Sequence, residues 1–162
     1  MEDEPEYQIS VTAVGVSCPV AERALADAAA ATLRLHGMAS ARIHFALVGD
    51  CRIAELNRQH LAHEGPTDVL TFDLKQPDSI HDDGDQPDID GEVVISVDTA
   101  AREASARGHG LAAELALYAV HGVLHLLGLD DRDEPSARRM HAMEDRILSE
   151  LGYGAVYGES AP

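Results

Sequence analysis

The sequence predicts an α+β fold in which a small mixed sheet of four strands is covered by about five helices. Two observations carry this prediction. The hydrophobic pattern alternates between a period of two residues, typical of strands, and a period near 3.6, typical of helices, in the order β-α-β-α-β-β-α-α-α. The chain also has 162 residues, of which 45% are hydrophobic, and no internal repeat, which favours one domain with one core.

The first half of the chain contains two predicted strands and two predicted helices. Residues 8–14 alternate apolar and polar side chains, as a half-buried strand does. Residues 19–36 are rich in alanine and leucine at helical spacing, and a glycine follows where such a helix would end. Residues 41–48 predict a second strand. A short helix over residues 50–61 then begins at an aspartate that can cap its N-terminus.

Two strands and three helices follow. Residues 69–74 predict a third strand, entered from a turn over residues 65–68, and residues 92–97 predict a fourth. The intervening residues 76–90 are rich in Asp, Pro and Gly but lack the acid spacing of an EF-hand, so we interpret them as a solvated connection rather than a calcium loop. Helical spacing then returns in three segments, which end at about residues 107, 127 and 151.

Charge and hydropathy exclude several classes of protein. The net charge is −17, from 29 acidic against 12 basic residues, and Lys75 is the only lysine. Such a field repels polyanions, which excludes a general nucleic-acid coat protein and means that RNA binding would need a local basic patch or a partner. We see neither a membrane segment nor a secretory signal. We therefore expect one cytoplasmic domain over residues 7–156, preceded by a disordered acidic tail over residues 1–6.

One polar stripe runs along the predicted helix over residues 111–127. Glu114, Tyr118, His121 and His125 are separated by four, three and four residues, which places them on one narrow face. Nearly all other residues of the segment are apolar, so we expect a mainly buried helix. Two histidines one turn apart can converge on one ion, whereas burying both unpaired would cost about 1–3 kcal/mol each. The spacing therefore predicts a metal site.

A third ligand is expected just after this helix. Gly128 permits a sharp turn, and Asp131, ten residues after His121, is the acid best placed to return to the histidines, with Asp130 as its competitor. Gly122 stands where an HExxH metalloprotease places its glutamate base, so a peptidase is disfavoured. Three protein ligands and an open fourth position are typical of a catalytic zinc.

At these residues the chain resembles the YbeY-type rRNA maturation factors, which are taken to be metal-dependent single-strand endoribonucleases. The family signature HGxLHLxGxDH is matched from His121 through Asp130 and departs at Asp131. Order and spacing agree from about residue 40 to residue 153. Further blocks are similar at Leu56-Asn57, at residues 65–72 and 91–96, and in a trailing helix with Met140, Met143-Glu144 and Leu151-Gly152-Tyr153.

Two positions depart from the family pattern. The last metal ligand, a histidine in the family, is Asp131 here. An aspartate oxygen is a legitimate zinc ligand, so we expect the site to survive with a weaker Lewis acid. The family also has an arginine shortly after its Leu-Asn pair, where this chain has Leu61. Arg58, one helical turn earlier, either substitutes for that cation or is an ordinary exposed helix residue.

The resemblance implies a metal-dependent hydrolase domain that cleaves single-stranded RNA in rRNA maturation and ribosome quality control. The implied partners are ribosomal RNA and the ribosome or its associated factors, and the implied cofactor is one divalent ion, zinc before others. Two alternatives stay open: a metal-dependent hydrolase of a non-RNA substrate, and a ribosome-assembly factor with a structural metal. The candidate site comprises the metal ligands His121, His125 and Asp131, with Arg58 and Glu114 as candidate catalytic residues and Tyr118 and Glu92 as further candidates to orient the ligands.

Overall fold

Four strands form one sheet in the order β1-β2-β4-β3 in the computed structural model, which describes residues 4–61, 69–75 and 87–154. β1, β2 and β4 are parallel, and β3 is antiparallel to β4. Within these residues, the predicted element order and the mixed sheet with five helices are confirmed. The strands are β1 (Glu6–Ala13), β2 (Ser40–Val48), β3 (Val69–Asp73) and β4 (Ile89–Ser96). The helices are α1 (Ala21–Leu35), α2 (Asp50–Leu61), α3 (Val97–Arg107), α4 (Leu111–Leu126) and α5 (Glu134–Glu150).

Two strands begin earlier than the hydrophobic pattern indicates. Pairing with the neighbouring strand keeps polar and charged residues in the sheet. β1 begins at Glu6, whose backbone N–H donates to the Ala39 carbonyl at 2.8 Å, so the strand includes the last residue of the expected tail. β4 begins at Ile89, inside the expected connection. The next residue, Asp90, pairs with Arg42 of β2, whose Nη2 donates to Oδ2 at 2.6 Å. Sheet pairing therefore extends both strands across polar residues that the hydrophobic pattern leaves out.

Some expectations fall outside the described residues. These are residues 1–3 of the expected tail, the turn over residues 65–68, residues 76–86 of the connection over residues 76–90 with its calcium-loop alternative, and the end of the domain at residue 156. The side chain of Leu61, at the position of the family arginine, is also not described.

The sheet is covered on both faces by layers of different size. On one face α1, α4 and α5 enclose the main core, where Phe45 of β2 and Val93 of β4 are fully buried. On the other face α2 contributes Ile53 to a small cluster with Leu70 and Val94. Successive residues of a strand point to opposite faces, so Val93 and Val94 belong to different layers.

Helix α4 is the central element of the larger layer. It contacts α1, α3, α5, β3 and β4 and is buried over most of its length, which confirms the prediction of a mainly buried helix. No helix of the described part of the chain is long and apolar enough to span a bilayer.

A charged clamp joins the starts of α2 and α3. Asp50 Oδ1 accepts hydrogen bonds from Ser96 Oγ at 2.6 Å and from Thr99 Oγ1 at 2.8 Å, and Asp50 Oδ2 accepts from Arg102 Nη1 at 2.7 Å. In return, Asp98 Oδ2 accepts from the backbone N–H of Asp50 at 2.9 Å. The Arg102 guanidinium and the Ser96 hydroxyl hold the pKa of Asp50 below its usual range.

Replacing Asp50 by asparagine is expected to lower the free energy of unfolding at pH 7 by about 1–2 kcal/mol, because hydrogen bonds to a charged acceptor are lost. Folding lowers the pKa of Asp50. Its contribution is therefore complete above the ordinary value of about 4 and is lost as the pH falls through the folded-state pKa. Denaturant titrations at pH 7 and pH 3 should bring the variant and the wild type closer together at pH 3. Asp27→Asn, at an exposed pair with Arg23, is the control, and equal losses in both variants would contradict the prediction.

Candidate metal centre

The orientation of α4 follows from a close approach to the sheet at Gly122. A Cβ at this position would lie 2.8 Å from Val93 Cγ1 and 3.3 Å from Thr71 Cγ2, distances that leave no room for a side chain. Position 122 therefore faces β4 and β3. The neighbouring positions His121 and His125 lie at the border of the buried surface, and each side chain is 26% exposed.

The chain turns back toward the histidines immediately after α4. Gly128 has a φ of +102°, a left-handed conformation that side chains rarely adopt, and its N–H donates to the His125 carbonyl at 3.0 Å. The N–H of Leu129 donates to the Leu124 carbonyl, also at 3.0 Å. This closed turn directs the following residues, including Asp131, to the histidine side of the helix.

The structure brings the three predicted metal ligands together. His121 Nε2 lies 3.1 Å from His125 Nε2. Asp131 Oδ2 lies 3.8 Å from His121 Nε2, and Asp131 Oδ1 lies 3.9 Å from His125 Nε2. The competing acid, Asp130, is not part of this cluster; its Oδ1 accepts from the backbone N–H of Arg132 at 3.2 Å.

Each histidine presents its other ring nitrogen to a hydrogen-bond acceptor. His121 Nδ1 lies 2.6 Å from Glu144 Oε2, and His125 Nδ1 lies 3.0 Å from the Leu129 carbonyl oxygen. A carbonyl or an ionised carboxylate can only accept, so we assign the proton of each neutral ring to Nδ1. Both Nε2 atoms then direct lone pairs into the same space. Two lone pairs 3.1 Å apart repel each other unless a cation lies between them.

The donor set and its dimensions fit a zinc ion. Zinc binds imidazole nitrogen and carboxylate oxygen at about 2.0–2.2 Å, so tetrahedral ligand atoms lie about 3.3 Å from one another. The ligand atoms of His121, His125 and Asp131 lie within 4.8 Å of one another, with separations of 3.1, 3.8 and 3.9 Å between the atoms named above. Small side-chain rotations would bring all three to bonding distance.

Glu114 lies apart from this cluster, although it shares the helix face. It is seven residues before His121, or about 10 Å along the helix axis. Its side chain is fully buried, with Oε1 in hydrogen-bond contact with His109 Nε2 and Oε2 3.5 Å from Arg107 Nη1. These contacts place Glu114 at the junction of α3 and α4. The expectation that it orients the metal ligands gains no support from its position.

The remaining candidates take different positions relative to the three ligands. Tyr118 is buried within the core at 2% exposure. Arg58 is exposed on α2, the helix that covers the other face of the sheet. Glu92 points to that face as well, where it lines a cavity of about 370 Å³ together with Arg52 and apolar residues. Arg58 and Glu92 therefore lie on the side of the sheet opposite the histidine pair, whereas Tyr118 lies on the same helix as the histidines, three residues before His121.

Glu144 is the site residue that sequence reasoning missed as a functional group. It lies on α5, 23 residues after His121, and its side chain is fully buried. The signal was present in the spacing of α5, where this acid occupies a buried stripe otherwise formed by Met140, Ile147 and Leu148. An acid at a core position of an amphipathic helix indicates a buried partner.

Comparison with known proteins identifies the family. The sequence model of the family described as Endoribonuclease YbeY matches residues 16–152. The chain belongs to this family. The match begins well before residue 40, where the motif resemblance began, and so includes α1. As a YbeY-family member the chain is an endoribonuclease of the class that acts in rRNA maturation, as the motifs predicted.

Individual YbeY relatives agree with this assignment. The chain is 43% identical over 143 residues to the endoribonuclease YbeY of an Anaeromyxobacter species, which covers 88% of this chain and 71% of the relative. It is 40% identical over 134 residues to that of Geobacillus kaustophilus, covering 81% and 84% of the two chains. A solution structure from Thermotoga maritima matches with a TM-score of 0.61 over 94% of this chain and 91% of the other, and at 23% identity it shows the fold alone.

Proposed function

We propose that the endoribonuclease activity of this chain depends on one divalent ion, zinc before others, held by His121, His125 and Asp131. The observation that carries the proposal is the distance of 3.1 Å between the two Nε2 atoms, with the Asp131 oxygens 3.8 and 3.9 Å away from them. Two imidazole nitrogens and one carboxylate oxygen, with a fourth position open, form the ligand set of a catalytic rather than a structural zinc. The substrate proposed from the family resemblance is single-stranded ribosomal RNA in the cytoplasm, in association with the ribosome.

The exposure of the three side chains supports a catalytic role. The histidine side chains are 26% exposed and that of Asp131 is 41% exposed, so the site opens to solvent, where an RNA strand can reach it. When bound, the ion would supply positive charge that stabilises charge developing on a phosphoryl oxygen. Two neutral imidazole ligands would leave the net charge of the ion unchanged, whereas the Asp131 carboxylate would offset one unit of it.

Local arginines support the approach of a polyanion despite the net charge of −17. Arg132, Arg138 and Arg139 follow Asp131 closely in the chain and are exposed at the start of α5. Arg139 lines a cavity of about 180 Å³ beside the turn at Gly128. Because arginine side chains form paired hydrogen bonds with phosphate oxygens, we assign the approach of RNA to this side of the site.

Chelation is expected to abolish single-turnover cleavage of an unstructured RNA, and added Zn²⁺ should restore it. Asp131→Ala should lower the cleavage rate by about 10²-fold or more at limiting metal, because one of three ligands is lost. Asp130→Ala is the matched control, since this neighbouring acid is outside the cluster, and its rate should stay within about threefold of wild type.

Three results would contradict the proposal. Cleavage that persists in the chelated protein would exclude metal dependence. Equal losses in the Asp130 and Asp131 variants would exclude the assigned ligand. A duplex of the same sequence cleaved as fast as the single strand would exclude single-strand specificity. A melting temperature that falls sharply on chelation, with no RNA cleavage in any state, would instead favour the ribosome-assembly factor with a structural ion.

A further inference from the structure

We propose that Glu144 is a positioning residue of the metal centre, which fixes the tautomer and orientation of His121 and so raises the affinity for the ion. The inference rests on the proposed function, because it concerns the same three ligands. It starts from one contact between two helices: Glu144 Oε2 of α5 lies 2.6 Å from His121 Nδ1 of α4, and the two residues are separated by 23 positions in the sequence.

Packing gives no reason for a carboxylate at this position of α5. The other buried residues of the helix are Met140, Ile147 and Leu148, and Glu144 itself has no exposed surface. Burying a carboxylate is unfavourable unless it is paired and hydrogen-bonded. Its second oxygen, Oε1, has no hydrogen-bond partner among the described residues. The contact with His121 is therefore the described interaction that offsets the burial of this acid.

The contact determines which nitrogen of His121 is available to an ion. A neutral imidazole carries its proton on either nitrogen, and the carboxylate favours the form with hydrogen on Nδ1. In that form Nε2 presents its lone pair toward His125 and Asp131. An acceptor on the distal nitrogen also raises the basicity of a histidine ligand and holds its ring in place.

The two histidines differ in how they are oriented. His125 Nδ1 faces the backbone carbonyl of Leu129, so the turn after α4 supplies its acceptor. His121 depends on a side chain of a different helix. Substitution at Glu144 therefore removes the hydrogen-bond acceptor of His121 and leaves the acceptor of His125 in place.

The chain offers a matched control in Glu114. This residue is also a fully buried glutamate in hydrogen-bond contact with a histidine, His109. Its second oxygen has no hydrogen-bond partner among the described residues and lies 3.5 Å from Arg107 Nη1. It lies about 10 Å along α4 from His121. Substitution at Glu114 disrupts a buried Glu–His contact of the same kind without touching the three ligands.

Zinc affinity, measured by competition with a chromophoric chelator, tests the proposal without reference to RNA cleavage. Glu144→Ala is expected to weaken zinc binding by about 10- to 100-fold, the range typical for loss of such an acceptor. The nearly isosteric Glu144→Gln should fall between this variant and the wild type, because its amide oxygen can still accept from Nδ1. Glu114→Ala and Glu114→Gln should stay within about threefold of wild type, even where they lower the melting temperature as much.

Imidazole ¹H–¹⁵N NMR of the metal-free protein gives an independent readout. His121 is expected to carry its proton on Nδ1 in the wild type and in the Glu114 variants, and to become a mixture of tautomers in Glu144→Ala. Equal zinc affinities for the Glu144 and Glu114 substitutions, or an unchanged His121 tautomer, would overturn the inference. Should Glu144→Ala not fold, the zinc affinity of Glu144→Gln compared with that of Glu114→Gln decides, because the tautomer of His121 need not change when an amide oxygen still accepts from Nδ1. A wild type that binds no zinc would instead refute the proposed function, and the NMR comparison would still decide the role of Glu144.

Discussion

Replacing His125 by alanine is expected to lower zinc affinity by about 10²- to 10⁴-fold. Binding free energies of zinc sites are about 10–16 kcal/mol, so the loss of one of three protein ligands should cost about 3–5 kcal/mol. The remaining ligand atoms, His121 Nε2 and an Asp131 oxygen 3.8 Å away, make a two-ligand site. RNA cleavage at limiting zinc should fall in parallel. Competition titration with a chelator and single-turnover cleavage measure the two effects.

A histidine outside the site provides the comparison for His125→Ala. His44 lies on β2, and its Nδ1 is 2.7 Å from Ser10 Oγ on β1. His44→Ala should retain zinc affinity within about threefold, because it removes a sheet contact and not a ligand. If the two variants bound zinc equally well, the ion would have to be held elsewhere in the chain, and the site proposed here would be wrong.

Replacing Gly122 by glutamate is expected to destabilise the fold by more than about 3 kcal/mol, although it restores the HExxH order of a metalloprotease. The new Cβ would lie 2.8 Å from Val93 Cγ1, and Val93 is fully buried and stiff at its branched Cβ. Overpacking of this kind costs about 1–3 kcal/mol, and burying an unpaired carboxylate against the sheet adds to it. Denaturant titration followed by far-UV circular dichroism measures the loss.

Gly110→Glu is the control for this substitution. Gly110 is the exposed N-cap of the same helix, and no atom lies within 4 Å of an added Cβ, so a change below about 1 kcal/mol is expected there. A Gly122→Glu protein as stable as the control, with new peptidase activity, would show that position 122 has room for the glutamate base of a metalloprotease. The expected result instead explains why no acid follows His121: helix α4 lies too close to β4 and β3 for any side chain at position 122.

Local spacing accounts for the parts of the molecule that the sequence predicted correctly. The switch between periods of two and 3.6 residues recovered all nine described elements in order, because that period reports which face of an element is buried. The contact of His121 with His125 follows from their four-residue separation on one helix, and the return of Asp131 follows from a glycine that permits a left-handed turn. The boundaries at Glu6 and Ile89 were missed because pairing with neighbouring strands extends an element across residues that break the apolar pattern, such as Glu6 and Asp90.

By itself, then, the sequence determined the order of elements, the family and the cluster of His121, His125 and Asp131, since each depends on the order and spacing of residues along the chain. Only the tertiary structure decided that Glu144, on another helix, orients toward His121, and that Glu114 on the shared helix face contacts His109 instead. The physical reason is the same in both cases. Helix geometry fixes which residues of one segment share a face, but the partner of a buried charge depends on how separate segments pack, and no spacing within a single segment records that.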